Sequence, residues 1–139
     1  SIGYNFKFTD IQAVIGIEQM KKLDGRIERK KEIARLYFEQ LNEIDELKLF
    51  EQDLKSTVPW FIDGLFDNRD ELLKYLKINN IGSRVMYPPI SHQKAYNFGG
   101  NFPVSEKVGS DGLWLPSSIH LTDEHINYIC STISTFYSQ

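Results

Sequence analysis

The chain commits early to a helix that cannot sit on a surface. Thr9 followed three residues later by Gln12 is a capping box, which starts a helix at that point. The residues after it include Ile11, Ala13, Val14, Ile15, Ile17 and Met20. At 3.6 residues per turn these apolar positions do not form one stripe but wrap much of the circumference. Such a helix is expected to be buried on more than one side, against its own domain and against a partner surface. Just before it, Ser1-Ile2-Gly3-Tyr4-Asn5 lacks an initiator Met, as in a piece cut from a longer polypeptide.

The pattern changes along the rest of the chain. The charged stretch 21–31 breaks the first helix near Leu23-Asp24-Gly25. A second helix follows, with Ile33, Ala34, Tyr37, Phe38, Leu41 and Ile44 on one face. Its other face, with Arg29, Lys30, Glu32 and Glu39, reads as solvated. Residues 47–50 suit a strand, 51–59 a loop, and 60–66 are rich in strand formers. Asn68 is placed to cap a helix through Leu72, Leu73 and Leu76 that ends near Asn79-Asn80, and 81–87 reads as another strand. A short helix or turn and a short strand precede the last helix. There Thr122 is the cap, Leu121 staples against Ile126, and Ile126, Ile129, Cys130, Ile133 and Phe136 face inward. This order predicts an α+β domain: a small, mostly antiparallel sheet with helices on one face.

Composition limits the classes open to such a domain. The 139 residues fit one domain, 1–139, with 41% hydrophobic and 25% charged residues. A net charge of −3 gives no general attraction to nucleic acid or to an anionic membrane. No apolar run approaches the roughly 20 residues that span a bilayer. One cysteine, Cys130, rules out an internal disulfide and suits a reducing compartment, which points to the cytoplasm. On the inner face of a helix, its simplest role is that of a small core residue.

Three segments hold candidate site residues. Residues 88–103 run without periodicity, and long aperiodic loops inside a compact domain are usually functional or disordered. Ile90, Tyr96, Phe98 and Phe102 argue against disorder. His92, in the middle, suits a hydrogen bond to a sugar hydroxyl or phosphate, or proton transfer near neutral pH; the plainer reading is a surface histidine. Gly3-Tyr4-Asn5-Phe6-Lys7 lies just ahead of a helix N-terminus, where an Asn amide and a lysine can hold an anion. Asn and Gly are equally ordinary turn residues. Arg84, on the strand entering the long loop, can clamp a phosphate or carboxylate, or pair with an acidic surface neighbour. His120 and His125 read as exposed residues near the last helix. The histidines lack partners at metal-ligand spacing, and no lysine stands in a context suggesting a Schiff base.

The stretch from Gly3 to Ala13, then Gly16, Gln19, Leu23, Arg29 through Ala34 and Tyr37, resembles the C-terminal region of the DegT/DnrJ/EryC1/StrS aminotransferases. The resemblance continues in order through Ile81-Gly82, Tyr87-Pro88, Ser91-His92-Gln93, Tyr96, Phe102-Pro103, Ser105-Glu106, Leu115-Pro116 and Leu121-Thr122, covering about residues 3–137. It implies the small C-terminal domain of a type I, aspartate aminotransferase-like enzyme that works as a homodimer. Such enzymes use pyridoxal 5'-phosphate to aminate a keto sugar carried on a nucleotide, usually with glutamate as donor, in amino-sugar biosynthesis such as that of lipopolysaccharide. It further implies that Asn5 reaches the cofactor phosphate of the other subunit. His92 is implied as a substrate contact, with Arg84 and Tyr87 as further ones. The chain departs from the pattern at Lys7, where Arg is commoner, and at Val14, which replaces a second Ala. The Schiff-base lysine would lie in a large domain outside these residues, so the chain alone is expected to be inactive. Two other readings stay open: a dehydratase of the same family using the pyridoxamine form of the cofactor, and a non-catalytic assembly or binding module.

Overall fold

The computed structural model describes residues 3–4, 6–96 and 99–139. Asn5, Asn97 and Phe98 of the sequence reading lie outside the described residues.

The helices begin where the sequence chemistry puts them. In α1 (Asp10–Met20) the Thr9 hydroxyl accepts from the Gln12 backbone N–H at 3.3 Å, and Gln12 Oε1 accepts from the Thr9 N–H at 2.9 Å. After a turn at Lys21 and Lys22, α2 (Leu23–Leu41) takes Gly25 into its first turns, so the break falls two residues earlier than the composition suggests. The last helix, α5 (Asp123–Tyr137), has a box at Thr122 in which His125 takes the part usually played by Glu or Gln. His125 Nδ1 accepts from the Thr122 N–H at 3.2 Å. Between them, α3 (Arg69–Ile78) starts after Asn68, which adopts a left-handed backbone with φ 51° and gives no side-chain cap. α4 (Pro103–Asp111) opens on a proline, whose missing N–H has no partner to lose at that position.

Four strands make one antiparallel sheet in the order β1-β2-β4-β3: β1 (Leu47–Leu49), β2 (Ile62–Phe66), β3 (Arg84–Val85) and β4 (Gly112–Leu115). Strand β2 starts at Ile62, leaving Trp60 and Phe61 ahead of it, and β3 is shorter than the 81–87 expected. Its length is set by pairing: Arg84 and Val85 stand in register with Trp114 and Leu113, and beyond them Met86 adds a single bond from its N–H to the Gly112 carbonyl.

The alternation of strands β1, β2 and β4 sorts their side chains. Leu47, Leu49, Ile62, Phe66, Leu113 and Leu115 turn into a core completed by Ile33, Tyr37 and Leu41 of α2, Leu72 and Leu76 of α3, and Ile126, Ile129, Cys130 and Ile133 of α5. Burial pushes the Cys130 thiol up to about 12, so it remains a neutral core residue at physiological pH. The buried Tyr37 hydroxyl donates to the Pro116 carbonyl at 2.9 Å, joining α2 to the segment after β4.

Two findings reverse the sequence reading. Arg29 and Lys30 are not simply solvated. Arg29 donates to the Leu121 carbonyl at 2.6 Å and pairs with Asp123 at 2.8 Å, while Lys30 Nζ donates to the carbonyls of Trp60 and Ser117, both at 2.8 Å. Long-range partners decide this, and helical periodicity does not see them. The second concerns the expected burial of α1 against its own domain: within this chain it buries no residue, Ile11 being 75% exposed and Met20 65%. The surfaces its pattern calls for are not supplied by the described residues of this chain.

Candidate functional site

Strand β4 brings the site residues together. Trp114 stands in register with Asp63 of β2 on one side and Arg84 of β3 on the other. Its neighbours Leu113 and Leu115 point into the core, so Trp114, Asp63 and Arg84 share the face turned away from α2 and α5. On this face the aromatic side chains form a shelf. Phe61 stacks on Trp114 with centroids 4.5 Å apart and planes at 15°. Tyr87 meets Trp114 edge-on at 5.1 Å. The Arg84 guanidinium lies 5.1 Å from the Tyr87 centroid and 5.7 Å from that of Trp114, and its Nη2 donates to Tyr87 Oη at 3.0 Å.

Of the two readings of Arg84, the pairing with an acidic neighbour is not realised: among the described residues it makes no ion pair. Cation–π contact and one phenol hold the guanidinium in place. At the other end of the shelf Trp60 is 78% exposed, edge-on to Phe61 at 6.3 Å. Its carbonyl is pinned by Lys30 Nζ and, at 3.3 Å, by Ser117 Oγ. Burial lowers the pKa of the Lys30 amine. Asp63 is partly buried beside Trp114, and that burial raises its pKa, against hydrogen bonds from its own backbone and from Gln52.

His92 stands apart from this cluster. It ends a short 3-10 turn (Ile90–His92), and its Nε2 lies 3.9 Å from Glu106 Oε1 on α4, with both side chains solvent-exposed. No hydrogen bond or ion pair among the described residues joins it to Arg84 or Tyr87. A groove of about 620 Å³ opens between the proline turn and α4, lined by Tyr87, Pro89, Ile90, Phe102, Val104 and Val108. Gly109 permits the approach, because a methyl there would come 2.7 Å from Pro89 Cδ. So the structure joins Arg84 to Tyr87 directly and reaches the His92 turn through the prolines, while Asn5 lies outside the described residues.

Sequence reasoning missed Trp114, Phe61, Glu106 and Lys30. Trp114 and Phe61 enter only through the pairing of β2 and β3 on β4, a long-range match no local pattern reveals. The one available signal was the clustering of Trp60 and Phe61, read only as strand propensity. Among the described residues no group of His, Cys, Asp and Glu is placed to hold a metal ion, and no helix is long and apolar enough to cross a membrane.

A four-stranded antiparallel sheet packed against helices is an arrangement this chain shares with solved sugar aminotransferases. It superposes on a DegT DnrJ EryC1 StrS aminotransferase from Brucella abortus with a TM-score of 0.83 and 30% identity, over 93% of this chain and 36% of that one. It shares its fold with DesV of S. venezuelae, at a TM-score of 0.89 and 21% identity, over 100% of this chain and 39% of that one. Residues 1–134 match the DegT/DnrJ/EryC1/StrS aminotransferase family, and the chain belongs to it. Among curated relatives, GDP-perosamine synthase of Escherichia coli O157:H7 is 33% identical over 141 residues, covering 99% of this chain and 38% of the relative. The dTDP-4-amino-4,6-dideoxy-D-glucose transaminase of Escherichia coli is 32% identical over 134 residues, covering 88% and 36%. The chain thus spans less than two fifths of the length of either relative.

Proposed function

We propose that this chain is the C-terminal small domain, residues 1–139, of a pyridoxal-phosphate-dependent aminotransferase that aminates a keto sugar linked to a nucleotide. The observation that carries this reading is the family match over residues 1–134, together with relatives that act on GDP- and dTDP-linked sugars. A lipopolysaccharide biosynthesis protein of Salmonella typhimurium, RfbH, is 28% identical over 98% of the chain and supports a role in cell-surface glycan synthesis. Within the enzyme, Arg84, Tyr87 and His92 contact the nucleotide sugar, glutamate is the amino donor, and catalysis takes place in the cytoplasm. The apolar circumference of α1 packs on the preceding large domain and on the second subunit of a homodimer, where Asn5 reaches the partner's cofactor phosphate.

The described residues do not by themselves fit the cofactor. Lys30, the one described lysine whose amine burial pushes toward neutrality, spends its donors on two carbonyls and a serine hydroxyl. When bound, pyridoxal phosphate supplies the electron sink of amino transfer, and the reactive amine belongs to the preceding domain. This domain's part is to bind and orient.

The test uses the full-length protein with glutamate and a GDP- or dTDP-linked 4-keto-6-deoxy sugar, with the aminated sugar read by mass spectrometry. The expected result is amination with either nucleotide sugar. Release of a dehydrated sugar without nitrogen incorporation would overturn the reading in favour of a dehydratase.

A further inference from the structure

We infer that Arg84 and Tyr87 form a preformed receptor for the diphosphate of the nucleotide sugar, with Trp114 and Phe61 as its positioning residues. This rests on the function proposed above and goes further by naming the part of the substrate that is held. Three observations lead to it.

The first is charge without a counter-charge. Among the described residues Arg29 and Arg69 are tied to carboxylates and to backbone carbonyls; Arg84, like Arg26 and Arg35, pairs with no carboxylate, but it is the one of these three held over aromatic rings, with Tyr87 Oη as its only hydrogen-bond acceptor. Its remaining guanidinium donors are left for an oxyanion. The second is order without burial. Long arginine side chains at a surface normally lose rotamer entropy on binding, but the guanidinium here already rests on the rings of Tyr87 and Trp114, and Trp114 is fixed by the Phe61 stack and by its place in the central part of the sheet. The third concerns the kind of anion. Tyr87 Oη accepts from Arg84, so its own hydroxyl proton remains to be donated. An arginine fork engages both oxygens of a carboxylate, whereas a phosphate keeps a further oxygen outside the fork to which the phenol can donate. The cluster therefore matches a phosphate group better than the carboxylate of an amino-acid donor.

The experiment measures calorimetric binding of GDP, dTDP and inorganic pyrophosphate to the full-length protein and its variants. Arg84→Lys keeps the charge but loses the fork and the stacking, and should weaken pyrophosphate and both nucleotides about tenfold or more. Tyr87→Phe keeps the ring and should cost roughly threefold to tenfold. Trp114→Leu should weaken binding in the same direction, while Trp114→Phe restores a ring and should recover most of the loss, which a purely structural role would not produce. Saturating glutamate should leave pyrophosphate affinity unchanged. The inference is overturned if Arg84→Lys binds pyrophosphate like the unaltered protein, if Trp114→Phe is as weak as Trp114→Leu, or if glutamate competes with pyrophosphate. If the unaltered protein binds pyrophosphate but neither nucleotide, the nucleotide-sugar assignment itself fails.

Discussion

At the residue scale, the shelf places an acid where acids are poorly solvated. Burial beside Trp114 raises the pKa of Asp63 above its ordinary value, so the folded chain holds a proton that the unfolded chain releases. The stability linked to this group is full below the ordinary aspartate range, about pH 4, and is lost as pH rises through the raised value. At neutral pH the charge therefore costs stability. Asp63→Asn is expected to raise the melting temperature at pH 7, with the gain shrinking toward zero near pH 4, as followed by thermal melts across that range. An equal gain at both ends would assign the effect to the amide and not to the removed charge.

At the scale of elements, close backbone approach explains one glycine and leaves another free. A methyl on Gly64 would lie 2.5 Å from the Lys48 carbonyl oxygen and 2.9 Å from Leu49 Cα, both main-chain atoms of β1 that cannot step aside. Gly64→Ala should therefore cost about 2 kcal/mol or more in urea unfolding, by forcing β1 and β2 apart. Gly25, within α2 and with open space around its α-carbon, should respond with the opposite sign, Gly25→Ala gaining about 0.5–1 kcal/mol. This contrast also marks what the sequence could tell. Helix starts were legible because caps are local: Thr9 with Gln12 and Thr122 with its following turn need no distant partner. The inward face of α5 was legible for the same reason, through Ile126, Ile129, Cys130 and Ile133. Strand limits were not, since Arg84 and Val85 are a strand only because β4 pairs with them. The tethers of Arg29 and Lys30 end on carbonyls dozens of residues away, so a solvated face was the natural reading. The candidate site was half legible. Arg84 and His92 were named from their segment and Tyr87 from the family resemblance, but the second ring that holds Arg84, Trp114, arrives from β4.

At the scale of the whole molecule, the domain has a buried core to which two of its helices, α1 and α4, add no buried residue, and α1 is the more apolar of the two. Ile11, Val14, Ile15, Ile17 and Met20 are all more than half exposed, as are the aromatic residues Tyr4, Phe6 and Phe8 just ahead of them. Contiguous apolar surface on this scale drives association. The 139-residue chain alone should self-associate with rising concentration in sedimentation velocity runs, and replacing Val14 and Ile15 together by Glu should return it to a monomer. If the double variant associates as strongly as the unaltered chain, the contact lies elsewhere. The sheet behaves in the opposite way. Its outermost strands, β1 and β3, are three and two residues long. One carries Lys48 on its outward side, and the other runs within three residues into Pro88-Pro89, which have no N–H groups to offer a newcomer. Too few unpaired main-chain groups remain at either margin to template a fifth strand, so the domain can stick to a neighbour through its helix without ever zipping to it edge to edge.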